Sequence, residues 1–141
     1  MSTGFAEEQV FGPNHPNVSY PLNGLANLYR EQGKDKQAES LYERALRIQE
    51  QTLEQPHPET TATFYDFAVL REGQGKSQEA EFFYRRALVI REQTLGSTHP
   101  QTRVTRERLL TVLRALSKTE EAAALEAAQL ESAKKEQDPE R

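Results

Sequence analysis

Histidine has the widest chemical repertoire of any side chain in this sequence, and the three histidines recur at one interval. They are His15, His57 and His99, each is followed by proline, and their numbers differ by 42. Imidazole nitrogens bind zinc and exchange protons near neutral pH. A zinc ion needs its ligands at about 2 Å, however, whereas helices of successive repeats pack about 10 Å apart. We therefore predict that the histidines belong to the turn before each proline and that there is no metal site.

Other groups that could act on a substrate lack suitable neighbours. The acidic pairs Glu7-Glu8 and Glu120-Glu121 would need a shielded cleft to act as general acid and base, and we expect them to be solvated on helix surfaces. The chain has no cysteine, and therefore no thiol nucleophile or thiolate metal ligand. It also lacks a glycine-rich phosphate loop with the accompanying lysine and hydroxyl residue. The sequence predicts a protein that is not an enzyme and uses no cofactor.

The interval of 42 residues extends well beyond the histidines. Three further sets of residues follow it: Gln9, Gln51 and Gln93; Phe11, Leu53 and Leu95; Ala38, Ala80 and Ala122. A fixed period of this kind is typical of stacked, similar structural units. The histidine interval is therefore the period of a repeat protein.

Each unit has the pattern of two amphipathic helices. In the first unit apolar residues recur at three- and four-residue spacing over about residues 17–32 and 35–53. Gly33 lies between these segments and recurs as Gly75, and glycine can end a helix in the left-handed conformation. Pro58 suits the first turn of the next helix. The predicted core of the first unit consists of Leu22, Leu25, Ala26, Leu28, Tyr29, Ala38, Leu41, Tyr42, Ala45, Leu46 and Ile48. The pattern predicts an all-α solenoid of antiparallel helical hairpins.

The register also divides the chain. It predicts repeats at 15–56 and 57–98, and a degenerate third repeat or C-terminal cap at 99–133, where Ser117 stands in place of glycine. Residues 1–14 align with the ends of second helices, which predicts the end of a preceding repeat and a chain cut from a longer array. The charged residues 134–141 are predicted to be a disordered tail.

Composition narrows the class of partner. The net charge of −4 argues against a nucleic-acid-binding surface, which usually carries a basic excess. No apolar run approaches the roughly 20 residues that span a bilayer, and the N-terminus lacks the features of a signal peptide. We expect a soluble, cytoplasmic protein that binds a protein or peptide and associates with neither nucleic acid nor membrane.

Two segments resemble the tetratricopeptide repeat: LNGLANLYREQGK at 22–34 and QAESLYERAL at 37–46. The small positions of that repeat are filled by Ala26, Gly33, Ala38 and Ala45, and the large ones by Leu25, Tyr29 and Tyr42. The usual repeat has about 34 residues, whereas the 42-residue unit is similar to kinesin light chain and its bacterial relatives. The resemblance covers about residues 5–132. It implies a right-handed superhelix of about three repeats plus a partial N-terminal helix.

The first helix of each hairpin is expected to line the concave surface of such a solenoid, and the resemblance supports this assignment. The residues predicted to face a peptide there are Tyr20, Asn23, Asn27, Arg30, Tyr65, Val69, Glu72, Glu107, Thr111 and Arg114. Asn23 and Asn27 lie one turn apart, and their carboxamides can pair with the backbone of an extended peptide. Tyr65 adds an aromatic face with a polar tip. The predicted function is peptide or protein binding in the concave groove.

A second interpretation remains open at this point. Many bacterial relatives follow a nucleotide-binding signalling domain, so the array could instead be a structural spacer or a self-association module of a larger protein. An apolar helix end left open by truncation could pair with its copy and give a homo-oligomer.

Overall fold

The computed structural model describes residues 16–137, with side chains from Pro21 onward. Six α-helices make up nearly all of this part: α1 Pro16–Glu31, α2 Asp35–Thr52, α3 Pro58–Gly73, α4 Ser77–Leu95, α5 Pro100–Ala115 and α6 Thr119–Gln137. The helices begin and end within one or two residues of the predicted positions in the first repeat. Within 16–137 none of them combines the length and the apolar character needed to cross a membrane.

The turn between first and second helix has the same geometry in all three repeats. Gly33 and Gly75 both adopt φ +76°, the left-handed conformation that glycine accepts without strain. Ser117 occupies the third turn at φ +60°. There the N–H of Lys118 donates to the carbonyl of Leu113 at 2.8 Å, as the equivalent lysines do in the other two turns. These backbone hydrogen bonds satisfy the helix end and hold serine in a conformation it otherwise disfavours.

The chain forms two compact units, the first ending at Leu70 and the second beginning at Arg71. In the first unit α1 and α2 pack around Leu22, Ala45 and Ile48. Tyr42 of α2 is fully buried and stacks on Phe67 of α3, with ring centroids 5.5 Å apart. The buried alanines of α1 and α2 allow close approach of the two backbones.

One predicted core residue of the first unit is wrong. Leu28 is 48% exposed, whereas Leu22 and Ala26 are buried as predicted. Successive residues lie about 100° apart around a helix, which places Leu28 on the flank of the buried stripe rather than at its centre. Apolar character alone therefore overestimated the width of the stripe.

In the second unit α4 packs on α5 through both apolar and polar side chains. Leu109 and Leu113 of α5 are buried. Arg91 of α4 donates to the hydroxyl of Thr105 at 2.7 Å, and the buried Arg106 donates to the carbonyl of Ser97 at 3.0 Å. The guanidinium groups are thus hydrogen-bonded where they enter the interface, as buried polar groups must be.

Buried threonines recur at the 42-residue interval, a feature that the sequence analysis did not predict. Thr63 and Thr105 are fully buried. Their hydroxyls donate to the carbonyls of Glu59 and Gln101 one turn earlier, at 3.0 and 2.7 Å. This local bond satisfies the hydroxyl and lets threonine pack as a small core residue.

Helix α6 continues to Gln137 and so includes residues 134–137, which the sequence analysis assigned to the tail. Lys134 and Lys135 lie in its last turn, where positive charge interacts favourably with the free carbonyls of a helix C-terminus. The remaining tail residues, 138–141, and the predicted end of a preceding repeat, 1–14, lie outside the described residues.

Candidate functional site

The two histidines within the described residues cap the helices that follow them. The Nδ1 atom of His57 accepts the N–H of Glu59, and that of His99 accepts the N–H of Gln101, each at 3.1 Å. Each bond satisfies one of the free N–H groups at a helix start. The prediction that histidine belongs to the turn before proline is therefore confirmed at His57 and His99, while His15 lies outside the described residues. Between residues 16 and 137 no group of three or more acidic or histidine side chains could hold a metal ion.

In the first unit, the predicted peptide-binding residues of α1 converge on a single aspartate of α3. Asn23 and Asn27 donate their amide N–H groups to the same oxygen, Asp66 Oδ2, at 3.1 and 3.2 Å. Arg30 donates to the backbone carbonyl of Asp66 at 3.2 Å. These donors bind α1 to α3, so a peptide would have to compete with Asp66 for them.

Asn27 also serves the buried core. Its Oδ1 atom accepts a short hydrogen bond from the hydroxyl of Tyr42, which is inaccessible to solvent. Burial raises the pKa of the Tyr42 hydroxyl above its usual value; the nearby Arg30 guanidinium opposes this effect and the Asp66 carboxylate adds to it. Asn27 thus joins the core of the first unit to the polar side chains of its surface.

A related arrangement with opposite charges occurs in the second unit. Tyr84, the repeat equivalent of Tyr42, donates its hydroxyl to Glu72 Oε1 at 2.7 Å. The same oxygen lies 3.7 Å from Arg108 Nη1. Positions 30 and 66 hold arginine and aspartate, whereas positions 72 and 108, 42 residues later, hold glutamate and arginine. The two units therefore link their first helices through the same positions with the charges exchanged.

The exposed face of α5 in the second unit forms a cavity of about 660 Å³. Its lining is Glu72, Pro100, Arg103, Val104, Glu107, Arg108 and Thr111. Three of these, Glu72, Glu107 and Thr111, are residues predicted to contact a peptide. Val104 is 49% exposed, which is unusual for an apolar side chain of its size in a small domain. The cavity combines this apolar surface with exposed charged groups on either side.

The remaining predicted residues are distributed differently. Arg114 forms an ion pair with Glu126 of α6. Tyr65 and Val69 are half-buried on α3. Tyr20 lies in α1, but its side chain is outside the described ones. The structure therefore brings three of the ten predicted residues together in the α5 cavity and three around Asp66.

Sequence reasoning missed Asp66 and Arg103. Asp66 aligns with Gly24 and Arg108 in the 42-residue register, so the repeat gives no indication of an acidic site there. The available signal is the placement of a single aspartate between Tyr65 and Phe67 on an otherwise apolar helix segment.

These features define the class of the protein. The described residues are helical hairpins joined by identical turns, with capping histidines at equal intervals, which is the organisation of an all-α helical-repeat protein. The tetratricopeptide repeat family matches residues 6–51, 21–93 and 59–135. These ranges cover most of the chain, and the chain belongs to the tetratricopeptide repeat family. The predicted fold class is confirmed.

Solved structures place the chain among kinesin light chain-like repeats. Two crystal structures of a kinesin light chain-like protein of Podosopora anserina with nearly identical TPR-like repeats, one of them a variant, align with TM-scores of 0.74 and 0.71 at 25% and 24% identity. They cover 95% and 96% of this chain and 63% and 64% of their own. The crystal structure of BtubC (BKLC) from P. vanneervenii aligns with a TM-score of 0.65 at 25% identity, over 83% of this chain and 46% of its own.

The chain thus spans less than two thirds of the length of each of these three structures. Curated proteins give no significant match. Tetratricopeptide repeats generally act as protein–protein interaction modules.

Proposed function

We propose that this chain is a non-catalytic interaction module that binds an extended peptide segment of a partner protein, with its principal contact on α5. The observation that carries the proposal is the α5 cavity, in which three independently predicted residues, Glu72, Glu107 and Thr111, lie around the exposed Val104. Its volume of about 660 Å³ is within the range of ordinary ligand pockets, roughly 300–1,000 Å³.

The charges of the cavity favour apolar contact as the main source of affinity. Arg103 and Arg108 are balanced by Glu72 and Glu107, and Glu72 is already engaged by Tyr84 and Arg108. A ligand therefore gains most by covering Val104, because burial of apolar area contributes about 25 cal/mol per Å². Polar groups of the cavity rim would orient the peptide backbone.

The first unit contributes more weakly in this proposal. Asn23 and Asn27 would have to exchange their bonds to Asp66 for bonds to the peptide, and such an exchange brings little net free energy. We place Asn23, Asn27 and Tyr65 among the supporting contacts rather than the principal ones.

The proposal is tested with peptides selected from a random display library on the wild-type chain. We expect Val104→Glu to weaken binding of the selected peptides at least tenfold, about 1.4 kcal/mol, because the carboxylate places an unpaired charge against the apolar contact. Fluorescence anisotropy of labelled peptides measures the affinity. Val89→Glu is the matched control, since Val89 lies on α4 and is 54% exposed, and this variant should bind as the wild type does.

Equal affinity of Val104→Glu and the wild type would exclude α5 as the binding surface. Failure of the library to yield any peptide that binds the wild-type chain would contradict peptide recognition itself.

A further inference from the structure

The first unit carries a second cavity, of about 550 Å³, on the outer side of the α1–α2 hairpin. Its lining is Leu25, Tyr29, Lys36, Gln37, Ser40 and Leu41. Leucine and tyrosine side chains form its base, and all six side chains are at least partly accessible. This surface lies away from the residues that contact Asp66 and has no role in the proposed peptide site.

The second unit shows the equivalent surface in a buried state. Moving 84 residues along the chain, Leu25 corresponds to Leu109 and Tyr29 to Leu113. Leu109 and Leu113 are each only 1% exposed. The repeat therefore builds one surface twice and covers it in the second unit.

The covering element in the second unit is α4. Thr105, Leu109 and Leu113 lie at four-residue spacing and share one face of α5, and Arg91 of α4 contacts Thr105 at 2.7 Å. Arg85 of α4 also pairs with α6, at 2.6 Å from a glutamate of its first turn. The surface is thus shaped to receive the second helix of a neighbouring hairpin.

Helix α6 presents the corresponding face of a second helix without a cover. Leu88 of α4, which is 5% exposed, corresponds to Leu130 of α6, which is 64% exposed. Ala123 and Ala127, the equivalents of Glu81 and Arg85 of α4, lie exposed on the same face as Leu130. Within the described residues, α6 therefore leaves open an apolar version of the face that α4 buries.

The two open surfaces also match in charge. In the internal contact Arg85 pairs with Glu121; in the open surfaces the same two positions hold Ala127 and Gln37. Bringing these surfaces together would leave no arginine or glutamate unpaired at that point. Lys34, the equivalent of Lys118, has its ammonium group 5.6 Å from the centre of its own Tyr29 ring, which supplies the interaction that Glu81 gives to Lys118 in the internal contact.

We propose that α6 of one copy of this chain packs into the α1–α2 cavity of a second copy, in the register that α4 uses on α5 and α6. The donating and receiving surfaces are different, so the contact is head to tail and each copy carries one of each. Leu130 is the principal side chain that the contact buries.

Sedimentation velocity of the full chain tests this contact. The wild type should associate with rising concentration, up to about 1 mM, and form species larger than a dimer. Leu130→Glu removes the donating surface, and Ser40→Arg fills the receiving cavity with a charged side chain. Each variant alone should associate at least tenfold more weakly than the wild type, because either change buries an unpaired charge.

A mixture of the two variants gives the sharpest result. Ser40→Arg retains an intact α6 and Leu130→Glu an intact cavity, so the mixture should form a 1:1 dimer that does not grow further. Val89→Glu, which changes an equally exposed apolar residue of α4, should associate as the wild type does. Circular dichroism would establish that all variants are folded.

Three results would overturn the proposal: a wild-type chain that stays monomeric at every concentration, association that Leu130→Glu leaves unchanged, or a mixture of variants that remains monomeric. The first is also the result expected if residues 1–15 or a helix of another protein covers the cavity instead.

Discussion

The buried tyrosines show how the repeat treats a polar atom in its core. Tyr42 and Tyr84 occupy equivalent positions and are both inaccessible to solvent. The hydroxyl of Tyr42 donates to the carboxamide of Asn27, whereas that of Tyr84 donates to the carboxylate of Glu72. The repeat thus preserves the donor and varies the acceptor, because a buried hydroxyl needs a partner but accepts either oxygen.

Removal of one partner should be more costly than removal of both. Asn27→Ala leaves the hydroxyl of Tyr42 buried without its acceptor, and we expect a loss of about 1–3 kcal/mol in the free energy of unfolding. In the Tyr42→Phe background the same substitution should be milder by at least about 0.5 kcal/mol, since no buried hydroxyl remains. Urea unfolding of the four proteins measures this coupling. Additive effects would show that the hydrogen bond between the two residues contributes nothing to stability.

At the scale of the helix, histidine followed by proline is a start signal. Histidine caps the first turn through Nδ1, and proline occupies the first helical position, where a backbone N–H would have no partner. At the other end of the same helix, a residue at positive φ closes the turn in each repeat. The 42-residue period thus recurs in both ends of the first helix.

The cap at α5 can be tested by substitution. His99→Ala removes the side-chain acceptor for the N–H of Gln101, and we expect it to lower the free energy of unfolding by about 0.5–2 kcal/mol. His99→Asn should retain most of the stability, because asparagine is a preferred capping residue. Thermal unfolding followed by circular dichroism compares the variants. A stable His99→Ala protein would mean that Pro100 alone is sufficient to begin the helix.

At the scale of the whole molecule, a small set of charged side chains ties the last helix to the rest of the second unit. Lys118, in the turn before α6, lies 2.8 Å from the largely buried Glu81 of α4, and Arg85 contacts both Glu81 and Glu121. Burial alone would raise the pKa of the Glu81 carboxyl, but the hydrogen bonds from Lys118 and Arg85 outweigh it and the pKa is lowered. This coupling makes the stability of the unit depend on pH.

A lowered pKa in the folded state means that Glu81 stabilises the protein above the ordinary glutamate pKa of about 4.3. That stabilisation is lost as the pH falls through the lower value of the folded state. Glu81→Gln should therefore be less stable than the wild type at pH 7, with a difference that narrows below about pH 4.3. Chemical unfolding across pH 3–7 measures both, at about half-unit steps.

Glu120→Gln is the matched control, since Glu120 is exposed at the start of α6. It should follow the pH profile of the wild type. A constant difference between Glu81→Gln and the wild type across this range would contradict the assigned role of the Glu81 carboxylate.

Much of the fold was predictable because local rules operate on short segments. Apolar spacing, glycine and proline placed the helices of the first repeat to within two residues, and periodicity identified the repeat. Leu28 was predicted wrongly because its exposure depends on the width of the neighbouring surface. The shared contact of Asn23 and Asn27 with Asp66 could not be predicted either, since it joins residues about forty positions apart in the sequence.

The sequence by itself determined the helices, their turns, the repeat and the family, because each of these follows from residue types at fixed spacing along the chain. The tertiary structure decided which polar groups are already engaged and which surfaces remain open. It joined Asn27 to Tyr42 and left Val104 and Leu130 exposed. Such outcomes depend on which helix faces meet, and the spacing of residues along one helix does not contain that information.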